Sequence, residues 1–345
     1  MDLRPAHAWQ PPEGWTTRFV VIDSHTGGEP FRVVVDGPVD LLGDTVLERR
    51  RFAQENLDHL RKMLMWEPRG HSDMYGALIG PPATPDGDLS VLFMHNEGFS
   101  TMCGHGIIAL AKVVLDTGIL PASEPETELE IDTPAGRVVA TATVVDGSVA
   151  RTRFRNVPSF VDALDAEVEV PGLGTVVYDL AFGGAFYAFV DAADIGLDLD
   201  DAGTAITAGR AIKRAIVTVG EPSHPDHPDL GFLYGVIFTG PGGAGPVHSR
   251  HVCVFADGEV DRSPTGTGVS ARLAILHRKG EIDVGEPVVI ESIVGSRFEG
   301  RVVELTAVGG REAVIPEVAG SAHITGRSEL WIDPNDPLGG GFLLR

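Results

Sequence analysis

The sequence predicts an α+β protein made of two similar halves. The prediction rests on strand-like segments that repeat 156 residues apart and on two short apolar helices that begin with the same glycine pattern. Helical stretches are too few to alternate with the strands, which disfavours a doubly wound α/β sheet. The chain has 345 residues, and at about 150 residues per domain this length agrees with two domains.

The repeated strands are recognised from apolar runs around a Gly-Gly turn. VVID at 20–23 leads into Gly-Gly at 27–28, and VVYD at 176–179 leads into Gly-Gly at 183–184. Each turn is followed by a second apolar run. Apolar β-branched segments on either side of a turn dipeptide are typical of two strands joined by a tight turn.

A second pair of segments predicts one buried helix in each half. CGHG at 103–106 begins an apolar stretch that stops at Gly118, and TGTG at 265–268 begins one that stops at Gly280. In both copies the closing glycine lies 15 residues after the Cys or Thr, where a glycine commonly ends a helix. We therefore expect two matched helices, each starting at a Gly-x-Gly sequence.

These repeats divide the chain into two predicted domains. Residues 1–155, completed by a C-terminal segment at 333–345, form the first half, and residues 156–332 form the second. The linker is expected near 155–159. Each half is predicted to be a set of strands around a central helix.

Composition narrows the class of function. The chain has 27 Lys and Arg against 49 Asp and Glu, a formal net charge of −22, which repels nucleic-acid phosphates and anionic lipid. No apolar run approaches the roughly 20 residues that span a bilayer, and the N-terminus lacks a secretory signal pattern. Only Cys103 and Cys253 are present, which excludes a disulfide framework. We predict a cytoplasmic protein that acts on a small molecule, without nucleic-acid or membrane partners.

Cys103 is the candidate reactive group. It stands at the predicted start of the first helix, where free N–H groups and the helix dipole lower a thiol pKa from about 8.5 to between about 3.5 and 7.5. A free cysteine is more often a small buried hydrophobe. Cys253 fits that description because it lies in an apolar, strand-like run at 251–255. We expect Cys103 to act as a nucleophile or as a proton-transferring base.

The two Gly-x-Gly helix starts supply two sets of free backbone N–H groups. If they face one another across a cleft, they can bind one small anion such as a carboxylate. The alternative is that the glycines only permit tight helix entry. Asp261 and His105 are candidates for binding an amine of the substrate. The alternatives are that Asp261 stabilises a turn and that His105 forms a hydrogen bond at the start of the helix.

Four longer motifs resemble the proline racemase family, over a region from about Phe19 to Arg345. The motifs are DSHTGGEP at 23–30, EPRGHSDMYG at 67–76, MCGHG at 102–106 and FADGEVDRSPTGTG at 255–268. The resemblance implies the fold shared with diaminopimelate epimerase, in which each half is a β-barrel-like sheet around a central helix and the active site lies between the halves. It also implies that neither pyridoxal phosphate nor a metal is required.

The resemblance further implies roles for individual residues. Cys103 is the catalytic acid/base on one face of the substrate, and Thr265 occupies the opposing catalytic position. The other residues bind the carboxylate through backbone N–H groups, the ring nitrogen through polar side chains, and the ring through aromatic side chains. The residues implied for the carboxylate are Gly104, His105, Gly266 and Thr267. Those for the ring nitrogen are His105 and Asp261, and those for the ring are Tyr75 and Phe255.

Thr265 departs from the racemase pattern, which has a second cysteine at this position. Inversion of a stereocentre needs a base on one face and an acid on the other, and a hydroxyl with a far higher pKa than a thiol is a poor partner. SPTG at 263–266, Ala185 and the ending GFLLR at 341–345 resemble the branch that dehydrates trans-3-hydroxy-L-proline to Δ1-pyrroline-2-carboxylate. In that substrate the hydroxyl and the α-hydrogen share one face, so one thiol suffices for a syn elimination. The expected activity is that of a hydro-lyase.

Several alternatives stay open at this point. Within the family, the chain can be a 4-hydroxyproline 2-epimerase or a proline racemase. In either case Thr265 would act as the second acid, whereas in a dehydratase it can simply shape the pocket. Outside it, a non-catalytic imino-acid-binding protein would use the same carboxylate site. The pairs HPDH at 224–227 and HSRH at 248–251 are predicted to be loop residues, with a metal hydrolase as the outside alternative, because no third ligand stands at a convincing spacing. The assembly is not determined by the sequence, with a homodimer as the expectation.

Overall fold

The structure, a computed structural model, describes residue 4, residues 9–15 and residues 17–344. Residues 1–3, 5–8, 16 and 345 lie outside the described residues. They include part of the N-terminal stretch, which lacks a secretory signal pattern, and the final arginine of the C-terminal motif. None of the helices in the described residues has the length and apolar character needed to cross a membrane.

Residues 9–15 and 17–344 contain seventeen strands and five α-helices. The strands are β1 (Arg18–Thr26), β2 (Glu29–Asp36), β3 (Tyr75–Gly80), β4 (Leu89–His95), β5 (Glu126–Thr133), β6 (Gly136–Val145), β7 (Ser148–Arg155), β8 (Ser159–Val170), β9 (Gly174–Phe182), β10 (Phe186–Asp191), β11 (Leu233–Pro241), β12 (Ser249–Phe255), β13 (Glu259–Val260), β14 (Val288–Glu291), β15 (Arg297–Val308), β16 (Arg311–Gly320) and β17 (Ala322–Trp331). The helices are α1 (Val46–Asn56), α2 (Asp58–Met65), α3 (Gly104–Asp116), α4 (Ala202–Val219) and α5 (Gly266–Arg278). This content confirms the predicted α+β class.

In the second half the strands close into a ring. Pairing runs in the order β8, β9, β10, β11, β12, β14, β15 and β16, and β16 pairs again with β8. Helix α5 packs against β8, β9, β15 and β16, and most of its residues are buried. The ring therefore surrounds a central helix.

The first half repeats the strand order, but in the described residues its end strands β17 and β7 do not pair with each other, and β7 pairs with β16 instead. Its strands pair in the order β17, β1, β2, β3, β4, β5, β6 and β7, and α3 packs against β1, β2, β6, β7 and β17. The parallel pairs β2–β3 and β4–β5 correspond to β10–β11 and β12–β14. The repeat expected from the sequence is therefore present in the strand pairing.

Two strands cross between the halves. Strand β8 follows β7 but pairs with β9, and β17 follows β16 but pairs with β1 along its whole length, from Arg18 opposite Trp331 to Thr26 opposite Ala322. At the C-terminus, Phe342 forms a bridge with Glu67. The division into residues 1–155 with 333–345 and residues 156–332 stays a prediction; β17 belongs to the second range but pairs with β1 of the first.

The central helices begin and end where the glycine pattern predicts. Gly118 and Gly280 have φ angles of 73° and 72°, the left-handed conformation that commonly ends helices. The helices α1, α2 and α4, which lie in connections between strands, were not predicted. A readable signal existed for α1, because Thr45 and Glu48 form a reciprocal capping box at its start.

Candidate functional site

One cavity contains every site residue predicted from the sequence. The free volume inside it is only about 10 Å³, far below the roughly 300 Å³ at the lower end of small-molecule sites, so the cavity is nearly closed. It lies where the N-terminal ends of α3 and α5 meet, so both halves contribute. The lining residues are Tyr75, Met102, Cys103, Gly104, His105, Tyr187, Tyr234, Phe255, Asp261, Thr265, Gly266 and Thr267.

The two helix starts meet through a pair of glycines. A Cβ atom placed on Gly104 would lie 2.5 Å from the Cα of Gly266, and one placed on Gly266 would lie 2.7 Å from the Cα of Gly104. No hydrogen bond within the described residues uses the backbone N–H groups of Gly104, His105, Gly266 or Thr267. Four unpaired donors at two helix N-termini therefore border one cavity, which is a suitable environment for a small anion.

Cys103 is the residue that precedes α3. Its Sγ accepts a hydrogen bond from the Gly106 N–H at 3.3 Å and lies 3.4 Å from His105 Nδ1. Burial raises the pKa of the Cys103 thiol well above its usual value, and the hydrogen bond from Gly106 only partly opposes the shift. The nearby carboxyls of Asp261 and Glu29 raise it further. The expected lowering of this pKa is therefore wrong for the closed cavity, because desolvation of the thiolate outweighs the helix terminus.

Thr265 precedes α5 as Cys103 precedes α3, but its side chain is held differently. Its hydroxyl donates a hydrogen bond to Asp261 Oδ2 at 2.9 Å, and its N–H donates to Ser263 Oγ at 3.1 Å. Its φ of 67° is unusual for a β-branched residue and costs on the order of 1–3 kcal/mol. The proton of the Thr265 hydroxyl is thus directed to Asp261.

Asp261 and His105 form a polar side of the cavity. Asp261 Oδ1 accepts a hydrogen bond from the Ser263 N–H at 2.7 Å, and its Oδ2 lies 3.8 Å from His105 Nδ1. Burial lowers the pKa of His105, and the charge of Asp261 partly offsets this effect. A neutral imidazole beside a carboxylate is suited to hold a protonated ring nitrogen.

Another part of the lining is aromatic and carries hydroxyl groups. The rings of Tyr75 and Tyr234 lie 6.0 Å and 5.4 Å from the ring of Phe255, measured between centroids. The Tyr75 hydroxyl donates to Ser100 Oγ at 2.6 Å and lies 3.1 Å from the Tyr234 hydroxyl. This wall combines an apolar surface for a ring with donors for a polar substituent.

Behind the cavity lies the buried carboxyl of Glu29, in the motif at 23–30. Glu29 Oε2 accepts a hydrogen bond from the Arg262 N–H at 2.7 Å, while Oε1 has no hydrogen-bond partner in the described part of the chain. Burial raises the pKa of Glu29 well above its usual value, and the charge of Asp261 adds to the shift. The environment therefore favours the protonated, neutral form of Glu29.

Comparison with known proteins agrees with the motifs. Residues 21–343 match the family described as proline racemase. This chain belongs to the proline racemase family. A relative named trans-3-hydroxy-L-proline dehydratase, from Colwellia psychrerythraea, is 45% identical over 341 residues, which cover 98% of this chain and 96% of the relative. The protein of the same name from Homo sapiens is 46% identical over 333 residues, 94% of each chain.

Solved structures of the proline racemase family share the fold. The crystal structure of a hydroxyproline epimerase from Agrobacterium vitis, with bound trans-4-hydroxy-L-proline, matches with a TM-score of 0.90 at 34% identity and covers 95% of both chains. A probable proline racemase from Agrobacterium radiobacter, with bound carbonate, also matches with a TM-score of 0.90, at 35% identity. These matches support the predicted architecture of two sheet-rich halves.

Met102, Tyr187 and Tyr234 line the cavity of this proline racemase family member and were not singled out from the sequence. The Tyr187 hydroxyl lies 2.7 Å from Thr267 Oγ1, and Tyr234 stands in the apolar strand β11. A tyrosine within a largely apolar strand is a usable signal, because a buried hydroxyl needs a polar partner.

The two histidine pairs considered as metal ligands lie apart from the cavity lining. The segment 224–227 falls between α4 and β11, whereas His251 is a buried residue of β12 and not part of a loop. Among the described residues, no group of three or more His, Cys, Asp or Glu side chains is arranged to hold a metal ion.

Proposed function

We propose that this protein dehydrates trans-3-hydroxy-L-proline to Δ1-pyrroline-2-carboxylate. The observation that carries the proposal is the pair formed by Cys103 and Thr265, which line one cavity at the matched helix starts. One position offers a thiol, and the other a hydroxyl that already donates to Asp261. The relatives at 45% and 46% identity that carry the dehydratase name support it as well.

The substrate carboxylate is held by the free N–H groups of Gly104, His105, Gly266 and Thr267. Removal of the α-proton places negative charge on this carboxylate. Each preorganised donor at such a position can stabilise the developing charge by roughly 3 kcal/mol. Two helix N-termini aimed at one anion therefore assist both binding and catalysis.

The ring nitrogen lies against Asp261 and His105, and the ring packs against Tyr75 and Phe255. A cationic nitrogen close to Cys103 favours the thiolate, because an opposite charge stabilises the ionised form of a group. Substrate binding thereby offsets the burial that raises the pKa of this thiol.

The Cys103 thiolate removes the α-proton on the face that also carries the 3-hydroxyl. The C–O bond breaks, and the leaving hydroxyl takes up a proton from the enzyme to form water. The resulting enamine tautomerises to the cyclic imine. Because both events occur on one face, no second acid/base is needed opposite. Thr265 orients Asp261 and shapes the pocket.

Incubation with trans-3-hydroxy-L-proline and detection of the cyclic imine tests the proposal. The Cys103→Ser variant is expected to lose water elimination, because the hydroxyl is a much weaker base than the thiolate. Cys253→Ser makes the same chemical change in the buried strand β12 and serves as the matched control. Near-normal turnover by Cys103→Ser would contradict the mechanism.

A second candidate is 4-hydroxyproline 2-epimerase, favoured by the match to the epimerase from Agrobacterium vitis at 34% identity. Epimerisation requires Thr265 to act as the second acid, although its hydroxyl is already directed to Asp261. Polarimetry on cis and trans 4-hydroxyproline separates the two activities, because only the epimerase changes the rotation without forming a cyclic imine.

We also propose that the enzyme is cytoplasmic, needs no cofactor and forms a homodimer. A reducing compartment keeps the Cys103 thiol available, and the proposed steps use only groups of the chain. Full activity after exhaustive dialysis against a chelator tests the second point. Sedimentation at catalytic concentrations tests the assembly, and fractionation of the source cells tests the location.

A further inference from the structure

Tyr75 and Cys103 line the same cavity. The Tyr75 ring packs edge-on against the ring of His105, with 4.9 Å between the ring centroids. The acceptor of the Tyr75 hydroxyl is Ser100 Oγ, and Ser100 belongs to the segment that leads into Cys103. The Tyr75 hydroxyl is therefore on the thiol side of the cavity.

We propose that Tyr75 is the general acid that protonates the departing 3-hydroxyl and that the Cys103 thiol then restores it. The inference rests on the proposed dehydratase function, because only a leaving hydroxyl on the thiol side requires a proton there. It assigns a catalytic role to a residue that the sequence placed only in the ring pocket.

A chain of hydroxyls supports this role. Tyr75 donates to Ser100 Oγ at 2.6 Å, and Ser100 Oγ donates to the Met102 carbonyl at 3.4 Å. The Tyr234 hydroxyl, 3.1 Å away, can donate to the Tyr75 oxygen. When the Tyr75 proton turns towards substrate, the Tyr75 oxygen keeps a hydrogen bond from Tyr234. This bond stabilises the negative charge that proton transfer leaves on Tyr75.

The proposed steps balance. The Cys103 thiolate takes the α-proton and becomes a thiol, and the electron pair of the C–H bond forms the C2–C3 double bond. The C3–O bond breaks, and the leaving oxygen takes the Tyr75 proton to give water. The Cys103 thiol then passes its proton to the Tyr75 oxygen, so thiolate and phenol are both regenerated. The enzyme is unchanged, and the substrate has lost one molecule of water.

The direction of the last transfer follows from intrinsic acidities. A thiol with a pKa of about 8.5 is a stronger acid than a phenol with a pKa of about 10. Burial raises the pKa of both Cys103 and Tyr75. The phenol therefore stays protonated before each turnover, and the proton moves from the thiol to the tyrosinate.

A comparison of two leaving groups tests the proposal with Tyr75→Phe, which keeps the ring and removes the hydroxyl. With trans-3-hydroxy-L-proline, we expect cyclic-imine formation to fall about 10²- to 10⁴-fold, the usual contribution of a general acid. With trans-3-fluoro-L-proline, fluoride departs without a proton, so we expect a loss of at most about tenfold, equivalent to one hydrogen bond. Cys103→Ser should fail on both substrates.

Two further variants keep the test decisive. Tyr234→Phe removes only the bond that supports the Tyr75 oxygen, so it should slow the hydroxy substrate more than the fluoro substrate even if Tyr75→Phe folds poorly. Tyr178→Phe, outside the cavity on β9, makes the same chemical change and should leave both rates unchanged.

Several outcomes overturn the proposal. An equal loss on both substrates in Tyr75→Phe and Tyr234→Phe assigns these residues a packing role only. A wild-type enzyme that releases water but no fluoride also contradicts it, because the α-proton step is common to both reactions. If the wild-type enzyme forms no cyclic imine from either substrate, the proposed dehydratase function itself fails.

Discussion

Gly104 and Gly266 contact one another through their backbones, so that the two central helices meet end to end at the cavity. A Cβ atom on either residue would lie 2.5–2.7 Å from the Cα of the other. Backbone atoms cannot move aside as a flexible side chain can. The contact therefore sets how closely the two groups of N–H donors converge, and with it the size of anion they bind.

Gly104→Ala and Gly266→Ala are each expected to push the helix starts apart. Overpacking of this kind costs about 1–3 kcal/mol of unfolding free energy, and a displacement near 1 Å can cost about 10²-fold in rate. Denaturant unfolding and dehydration kinetics measure the two effects. Gly326→Ala, on β17 with open space around its Cβ position, is the matched control. Wild-type rates in both site variants would contradict the tight contact.

Thr265→Cys is expected to introduce a second acid/base on the face opposite Cys103. A thiol there can return a proton to the other face, so proline-type substrates should gain α-proton exchange and epimerisation. Deuterium incorporation from heavy water, followed by NMR and polarimetry, measures the gain. Thr265→Ser keeps the hydroxyl and its hydrogen bond to Asp261, and should not show it. Absence of α-deuterium in Thr265→Cys would weigh against the two-face explanation.

The rate constant kcat/KM is expected to rise with pH above neutrality. This parameter reports the ionisation of the free enzyme; the base must be a thiolate, and burial raises the pKa of Cys103 well above its usual value. A pH profile of kcat/KM checks this, together with the pH dependence of Cys103 alkylation by iodoacetamide. A profile that stays flat between about pH 6 and 9 would be inconsistent with a buried thiol as the base.

We expect the wild-type protein to lose stability as the pH rises, because of Glu29, and the Glu29→Gln variant to lose less. Burial raises the pKa of Glu29 in the folded state, so the folded protein retains a proton that the unfolded chain releases. The associated stability is complete below the unfolded pKa, near 4.3, and is lost as the pH rises through the folded pKa.

Glutamine stays neutral, and its side-chain oxygen can still accept the Arg262 N–H. Unfolding free energies over a pH series should therefore fall less in Glu29→Gln than in the wild type. Glu304→Gln, at an exposed position of β15, is the control and should follow the wild type. Parallel curves for Glu29→Gln and the wild type would show that Glu29 is not protonated in the folded protein.

The local elements could be predicted where the sequence carries a short-range pattern. Turn glycines and apolar runs specify the repeated strands, and glycines at 118 and 280 specify the ends of α3 and α5. The helix α1 has few apolar residues, with only Val46, Arg50 and Ala53 buried, so it lacks the hydrophobic periodicity that identifies a helix.

The pairing of strands across the halves was beyond local pattern. Strand β17 pairs with β1, about 300 residues earlier in the chain, and nothing in either segment specifies that partner. The contacts between side chains in the cavity could not be predicted for the same reason, because they join residues far apart in the sequence. Tyr75 and Tyr234 are 159 residues apart in sequence, and their hydroxyls lie 3.1 Å apart.

The sequence by itself determined the duplicated architecture, the two Gly-x-Gly helix starts and the difference between Cys103 and Thr265, because these depend on residue type and short spacing. Only the tertiary structure decided that Thr265 donates a hydrogen bond to Asp261, that Tyr75 and Cys103 line one cavity, and that the pKa of Cys103 is raised. Desolvation and hydrogen-bond geometry depend on atoms brought together from distant parts of the chain. A helix start can favour a thiolate, but the surrounding fold determines how much water remains to solvate it.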